Sequence, residues 1–177
     1  MEAIKKPSVT ELIDILNKPA LIGWANRIGL QGTSLDEYRK RVRVDGSKLH
    51  KDIENFFMRG EMVPDLGMQK RLNDFISDKE VLECEKNVET EWFVGRFDIK
   101  FKWHESVCIA DFKTNHTNIY LENRLQLAAY RMAELAEKVF IISVPDVSII
   151  PVSIVDFDPY EEMLKCLSRI YFLKQSV

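Results

Sequence analysis

Gly95 to Lys113 reads GRFDIKFKWHESVCIADFK, and its alternation decides the fold. Phe97, Ile99 and Phe101 are expected on one face of a strand, with Arg96, Asp98 and Lys100 on the other, because strand side chains alternate. His104-Glu105-Ser106 falls where a hairpin turn is needed, although it lacks the favoured Asn-Gly chemistry. Val107 to Lys113 then forms a second, mostly apolar strand that ends abruptly in charge. Val81 to Val88 is expected to precede this pair, so three strands (81–88, 92–103 and 107–113) follow one another as a meander.

Helices are expected on either side. Pro7 to Ile28 carries Ser8 and Thr10 as candidate N-caps, with a break or kink at Pro19. Its apolar side is expected at Leu12, Ile15, Leu16, Leu21 and Trp24. Asp45-Gly46-Ser47 reads as a turn, with Ser47 capping a helix whose stripe is Leu49, Ile53, Phe56 and Phe57. Gly60 to Gly67 reads as a loop and Met68 to Ser77 as a short helix. Tyr120 to Lys138 is amphipathic through Leu121, Leu125, Ala128, Ala129, Met132 and Leu135. Val139 to Val144 and Ile149 to Val155 read as strands. Pro159 opens a last helix with Met163, Leu164, Leu167, Ile170 and Tyr171 inward. This order predicts one α/β domain with a central mixed sheet flanked by helices. It divides into an N-terminal helical segment (1–44), a core (45–155) and a C-terminal helix (156–177).

With 177 residues, 46% hydrophobic and 30% charged, the chain can bury a core without disulfides. Cys84, Cys108 and Cys166 form no Cys-x-x-Cys pair, which disfavours a zinc ribbon or an iron–sulfur cluster. They read as buried free thiols. No stretch has the length or apolarity of a membrane span, and no signal-peptide pattern opens the chain. A cytoplasmic protein is expected, whether of a cell or of a virus acting in one. Net charge is −3, against strong non-specific nucleic-acid binding. Arg39, Lys40, Arg41, Arg43, Lys48 and Lys51 nonetheless make a local basic cluster, which matters only if a phosphodiester site lies close by.

Asp111 and Lys113 share a strand face, with Phe112 turned into the core. An Asp-x-Lys triplet alone is common and usually a surface pair. Asp98 on the neighbouring strand changes this, since pairing through the turn brings two carboxylates together. A cation relieves their repulsion, and oxygen ligands favour Mg²⁺ or Mn²⁺. The Phe112 carbonyl is a further candidate ligand. Lys113, beside metal and substrate, reads as an electrostatic clamp that orients water. His50 and Glu54 share a helix face, so His50 is a candidate ligand if that helix lies near Asp98, with Glu54 a weaker accessory. Gln126 and Tyr130, also four apart, can project toward the strand ends and contact phosphate or the carboxylates. Glu85 on the first strand either reaches the site or faces water.

Together Gly46-Ser47-Lys48-Leu49-His50, Gly95-Arg96-Phe97-Asp98, Asp111-Phe112-Lys113-Thr114 and Gln126-Leu127-Ala128-Ala129-Tyr130 resemble the PD-(D/E)XK nuclease superfamily, in particular its RecB-like branch. The resemblance implies a restriction-endonuclease-like core and Mg²⁺- or Mn²⁺-dependent hydrolysis of phosphodiesters in DNA. It makes Asp98, Asp111 and Lys113 catalytic, and His50, Asp98, Asp111 and Phe112 the metal ligands. Gln126 and Tyr130 would shape the DNA side, together with Thr114, Arg41 and Arg43. Exonuclease action on single-stranded or end-containing DNA in replication, recombination or repair is the expected activity. No iron–sulfur cluster is expected. The chain lacks a Gly-rich nucleotide-binding loop, so unwinding would come from a helicase, polymerase or recombination partner. The competing reading is a catalytically inactive nuclease-fold module that binds DNA or such a partner.

Overall fold

A computed structural model describes residues 5–16, 18–113, 119–144, 147–152 and 157–176 of the protein. The N-terminal helical region breaks before Pro19, giving α1 (Val9–Ile13) and α2 (Pro19–Leu30). Ser8 caps α1 in a reciprocal pair with Glu11, its hydroxyl accepting from the Glu11 N–H while the Glu11 carboxylate accepts from Ser8 N–H.

The next helix corrects one expectation. α3 runs unbroken over Leu35–Arg59, so Asp45-Gly46-Ser47 is no turn and Ser47 no cap. The helix starts instead at Ser34, paired with Glu37 in a second capping box, and stops at Gly60 with φ 68°. One internal glycine weakens a helix by only about 1 kcal/mol relative to alanine. Two good caps and the buried Ile53 and Phe56 outweigh that.

α4 (Leu66–Ile76) follows, and then the sheet. β1 (Lys79–Glu89), β2 (Val94–Trp103) and β3 (Ser106–Lys113) are the antiparallel meander, turned at His104 with φ 54°. α5 (Leu121–Glu134) crosses over to β4 (Lys138–Ser143), which pairs parallel to β3. β5 (Ser148–Val152) pairs antiparallel to β4, and α6 (Asp158–Gln175) ends the fold. The sheet order is β1-β2-β3-β4-β5. It is a mixed sheet flanked by helices, an α/β fold, as expected. The last part of the strand expected to end at Val155 lies outside the described residues.

Two cores line the two faces. Val9, Leu12, Leu125, Ala128, Leu164 and Leu167 join Ile109 and Ile141 on the α1–α5–α6 face. Ile53, Phe56, Leu72 and Phe75 join Phe101, Ala110 and Phe112 on the α3–α4 face.

The alternation along β2 does not hold. Phe97 packs in the first core, while Ile99 and Phe101 pack in the second. On β1, Val88 likewise belongs to the first core, and Val81 and Cys84 border the second. The strands pair as Cys84↔Ile99 and Lys86↔Phe97, with Glu85 and Asp98 facing each other between unlinked positions. Glu85 has φ 48°, in the left-handed region that a glutamate rarely occupies. Both strands therefore change face at this one pair of acids.

Three smaller expectations also fail. α5 stops at Glu134, and Leu135, with φ 52°, is 84% exposed instead of inward. Ile170 is exposed too, although Met163 and Tyr171 pack as expected. Cys166 is exposed, whereas Cys108 is buried and Cys84 half-buried. Among the described residues no helix is long and apolar enough to cross a membrane.

Candidate metal centre

The face change on β1 and β2 aims Glu85 and Asp98 at α3. His50 Nδ1 lies 3.4 Å from Glu85 Oε1 and 3.5 Å from Asp98 Oδ1. One donor atom from each of His50, Glu85 and Asp98 falls within 4.8 Å of the others, a spacing that suits a single cation. Without a cation the imidazole holds a proton there. The Asp98 carboxylate, then Glu85, push its pKa up to about 10.

Asp98 also has a structural task. The β2–β3 ladder ends at Ile99↔Ala110, and beyond it the Phe112 N–H donates to Asp98 Oδ2 at 2.6 Å. A side-chain oxygen thus replaces a strand carbonyl, leaving Oδ1 for His50. The Phe112 ring packs edge-on to the His50 ring at 6.1 Å and stacks near Phe57, which fixes α3 over the sheet.

Asp111 is buried and adjoins this cluster electrostatically. Burial, then the negative charge of Asp98, push its carboxyl up to about 7. Lys113 Nζ stands 2.5 Å from Asp111 Oδ2, an ion pair at the edge of the cluster. Lys113 Nζ also donates to Gln126 Oε1 at 2.9 Å, and Gln126 Nε2 donates to Tyr130 Oη at 2.9 Å. Lys113, Gln126 and Tyr130 thus form a continuous chain, in which Gln126 meets Lys113 and not the carboxylates that it was expected to reach. Burial, with the Asp111 charge next, holds the Tyr130 phenol above its ordinary range, so it stays neutral. Gly95 makes room for this ring. A Cβ there would stand 3.3 Å from Tyr130 Cε1 and 3.1 Å from Val9 Cγ2.

A groove of about 780 Å³ opens beside the cluster, with His50, Asp98, Arg96, Gln126 and Tyr130 on its walls. Arg96 Nε reaches Glu85 Oε2 at 2.9 Å and remains largely exposed at the mouth. Glu54 stays outside the three-donor group, held by Lys51 at 2.7 Å. Arg43 lies seven residues before His50 on α3, about 10 Å along the axis. The Arg41 guanidinium stands over the Tyr38 ring, 5.6 Å from its centroid. Neither arginine is in the cluster. Thr114 lies outside the described residues.

Sequence reasoning left Glu85 as an accessory and passed over Arg96. Its strand alternation would have turned Glu85 away from Cys84, but nothing in the residue types signals the positive φ that aims it. The Cys84 thiol beside it is pushed up to about 12 by burial and by the charges of Glu54, Glu85 and Asp98. It therefore stays a thiol, not the thiolate that binds metal.

No family model and no curated protein matches the chain. Among solved structures it is similar to the crystal structure of SSO0001, at 14% identity and a TM-score of 0.47, over 96% of this chain and 78% of that one.

Proposed function

We propose that the protein is a metal-dependent deoxyribonuclease. The observation that carries the reading is the convergence of His50, Glu85 and Asp98 within 4.8 Å, beside the buried Asp111–Lys113 ion pair. Two carboxylates and one imidazole, with Asp111 as a further carboxylate beside them, suit Mg²⁺ or Mn²⁺. His50, Glu85, Asp98 and Asp111 would hold the ion, with the Phe112 carbonyl as the further ligand that the nuclease resemblance implies. When bound, such an ion polarises the phosphoryl oxygen and activates water.

The protein's own groups supply the rest. Lys113, positioned by Gln126, holds positive charge where a phosphorane-like transition state gains negative charge. Tyr130 fixes Gln126 and, being neutral, adds no repulsion toward phosphate. Arg96 at the groove mouth offers a cation to the incoming backbone. The Phe112 N–H holds Asp98 in place, so the donor set is preorganised. Exonuclease action on DNA ends is the preferred activity, alongside a helicase, polymerase or recombination partner.

The test is degradation of end-labelled single- and double-stranded DNA with Mg²⁺ or Mn²⁺. Wild type should shorten the labelled strand only with metal. Asp111→Ala should abolish this, and Lys113→Ala should slow it about 10²–10³-fold, as for loss of one transition-state donor. Equal behaviour of the three proteins refutes the proposal.

A further inference from the structure

A second groove, of about 770 Å³, lies between α2 and α3, away from the metal cluster. Its walls include Trp24, Tyr38, Arg39 and Arg43. Trp24 and Tyr38 meet edge to face with centroids 5.4 Å apart, and both remain half-exposed. Among the described residues, neither Arg39 nor Arg43 has a carboxylate partner. The carboxylate on the groove wall, Asp14, is already paired with Lys18 at 2.8 Å. The Tyr38 ring already carries the Arg41 guanidinium over it, so Trp24 is the ring left to stack, and a half-exposed tryptophan beside Arg39 and Arg43 is what an unpaired nucleobase and its phosphates require. The indole stacks on any base face, and the arginines neutralise the backbone.

The groove is aligned with the metal cluster. Arg39, Arg43, Gly46 and His50 follow the i, i+4, i+7, i+11 spacing, so they share one stripe of α3. Eleven residues cover about 16 Å, the span of about five stacked nucleotides at ~3.4 Å each. Gly46 lies on this stripe, and a Cβ built there would touch nothing within 4 Å. Packing therefore does not demand a glycine at a position where glycine weakens the helix. Its missing side chain leaves the stripe clear between the two sites.

We propose that the α2–α3 groove binds an unpaired nucleobase of single-stranded DNA, four to six nucleotides from the phosphodiester presented to the metal cluster. This rests on the nuclease reading for its geometry, but the binding itself needs no metal.

The test is therefore run in EDTA. Fluorescence anisotropy of labelled oligo-dT and quenching of tryptophan emission are followed for wild type, Trp24→Ala, Trp24→Phe and Arg39→Ala/Arg43→Ala. Wild type should bind oligo-dT more tightly than a duplex of equal length. Trp24→Ala should lose at least about tenfold in affinity, with Trp24→Phe restoring most of it because a phenyl ring still stacks. The double arginine variant should also bind more weakly, with its salt dependence reduced by about 1.4 in log–log slope, two phosphate contacts at ~0.7 each. Equal affinity of wild type for single strand and duplex, or wild-type affinity in Trp24→Ala, overturns the proposal. So does Trp24→Phe binding as weakly as Trp24→Ala. Tight binding without cleavage in Mg²⁺ or Mn²⁺ would sink the nuclease reading alone, whereas cleavage with no effect at Trp24 would sink only this one.

Discussion

Asp98 is assigned two tasks, and replacing it with Asn and with Ala separates them. Its Oδ2 accepts the Phe112 N–H at 2.6 Å inside the sheet, where β2 offers no backbone carbonyl. Alanine leaves that buried donor without a partner, at a cost of about 1–3 kcal/mol. Asparagine keeps an acceptor oxygen in the same place. Both variants lose the negative charge near His50 and Asp111, so the difference between them isolates the hydrogen bond. One complication is relief of Asp111, whose carboxyl is raised partly by the Asp98 charge. That relief counts only where Asp111 is ionised, so the comparison belongs at pH 5.5, below its value of about 7. For a chain of this size 1 kcal/mol moves Tm by about 2–4 °C. Asp98→Ala should therefore melt roughly 4–8 °C below Asp98→Asn, taking ~2 kcal/mol for the lost bond. Thermal denaturation in EDTA measures the gap, and repeating it with Mn²⁺ at pH 8, where Asp111 is ionised, measures the other task. Neither variant should gain the Tm increase that Mn²⁺ gives wild type. Equal melting of the two variants would refute the structural role. A full Mn²⁺ response in Asp98→Asn would refute the ligand role.

Two further outcomes follow from the same acids. Asp111 and His50 both have folded pKa values above their unfolded ones, at about 7 and about 10. Each thus adds stability that is complete below its unfolded pKa and lost as pH rises through the folded value. In EDTA the Asp111 contribution should fade between about pH 4 and 7, and that of His50 between about pH 6.5 and 10. Tm of wild type should fall from pH 5.5 to 8 more steeply than that of Asp111→Asn; identical profiles would contradict the burial argument. Glu85→Gly and Glu85→Ala both lose the carboxylate that pairs with His50 and Arg96, but glycine accepts the positive φ without strain, so Glu85→Gly should be the more stable of the two in EDTA, by about 1 kcal/mol. Both should also lose the Mn²⁺ response, and equal stability of the two variants in EDTA would show that φ is not strained.

Much of the sheet was legible because burial forces alternation where strands are regular. Val107 to Lys113 reads correctly, with Asp111 and Lys113 on one side and Phe112 in the opposite core. Gln126 and Tyr130 were legible because helical spacing is insensitive to what surrounds it. The misreadings share a cause in competing effects of similar size. At Asp45-Gly46-Ser47 the turn propensities were plain, but caps eleven and more residues away kept α3 intact. At Phe97 the strand period was plain, but the change of face between Phe97 and Ile99 coincides with the positive φ of Glu85 on the neighbouring strand. A glutamate in a left-handed conformation leaves no trace in composition, so the acid that completes the cluster could not be ranked from sequence. Leu135 was misplaced because hydrophobicity alone did not reveal that α5 ends one residue earlier.

The cluster and its chain of hydrogen bonds draw on α3, β1, β2, β3 and α5, from His50 to Tyr130. α5 is the crossover between two parallel strands, so Gln126 settles against Lys113 only when β4 has docked on β3. Such long-range pairings form late in folding, after loop closure has been met by enough contacts. A ribosome adding about 5–20 residues per second must therefore pass Ser143 before any of this chemistry can be assembled. On the proposed nuclease reading, a chain that has not yet passed Ser143 would be harmless to nearby nucleic acid, and hydrolytic capacity would arrive in one step with the finished sheet.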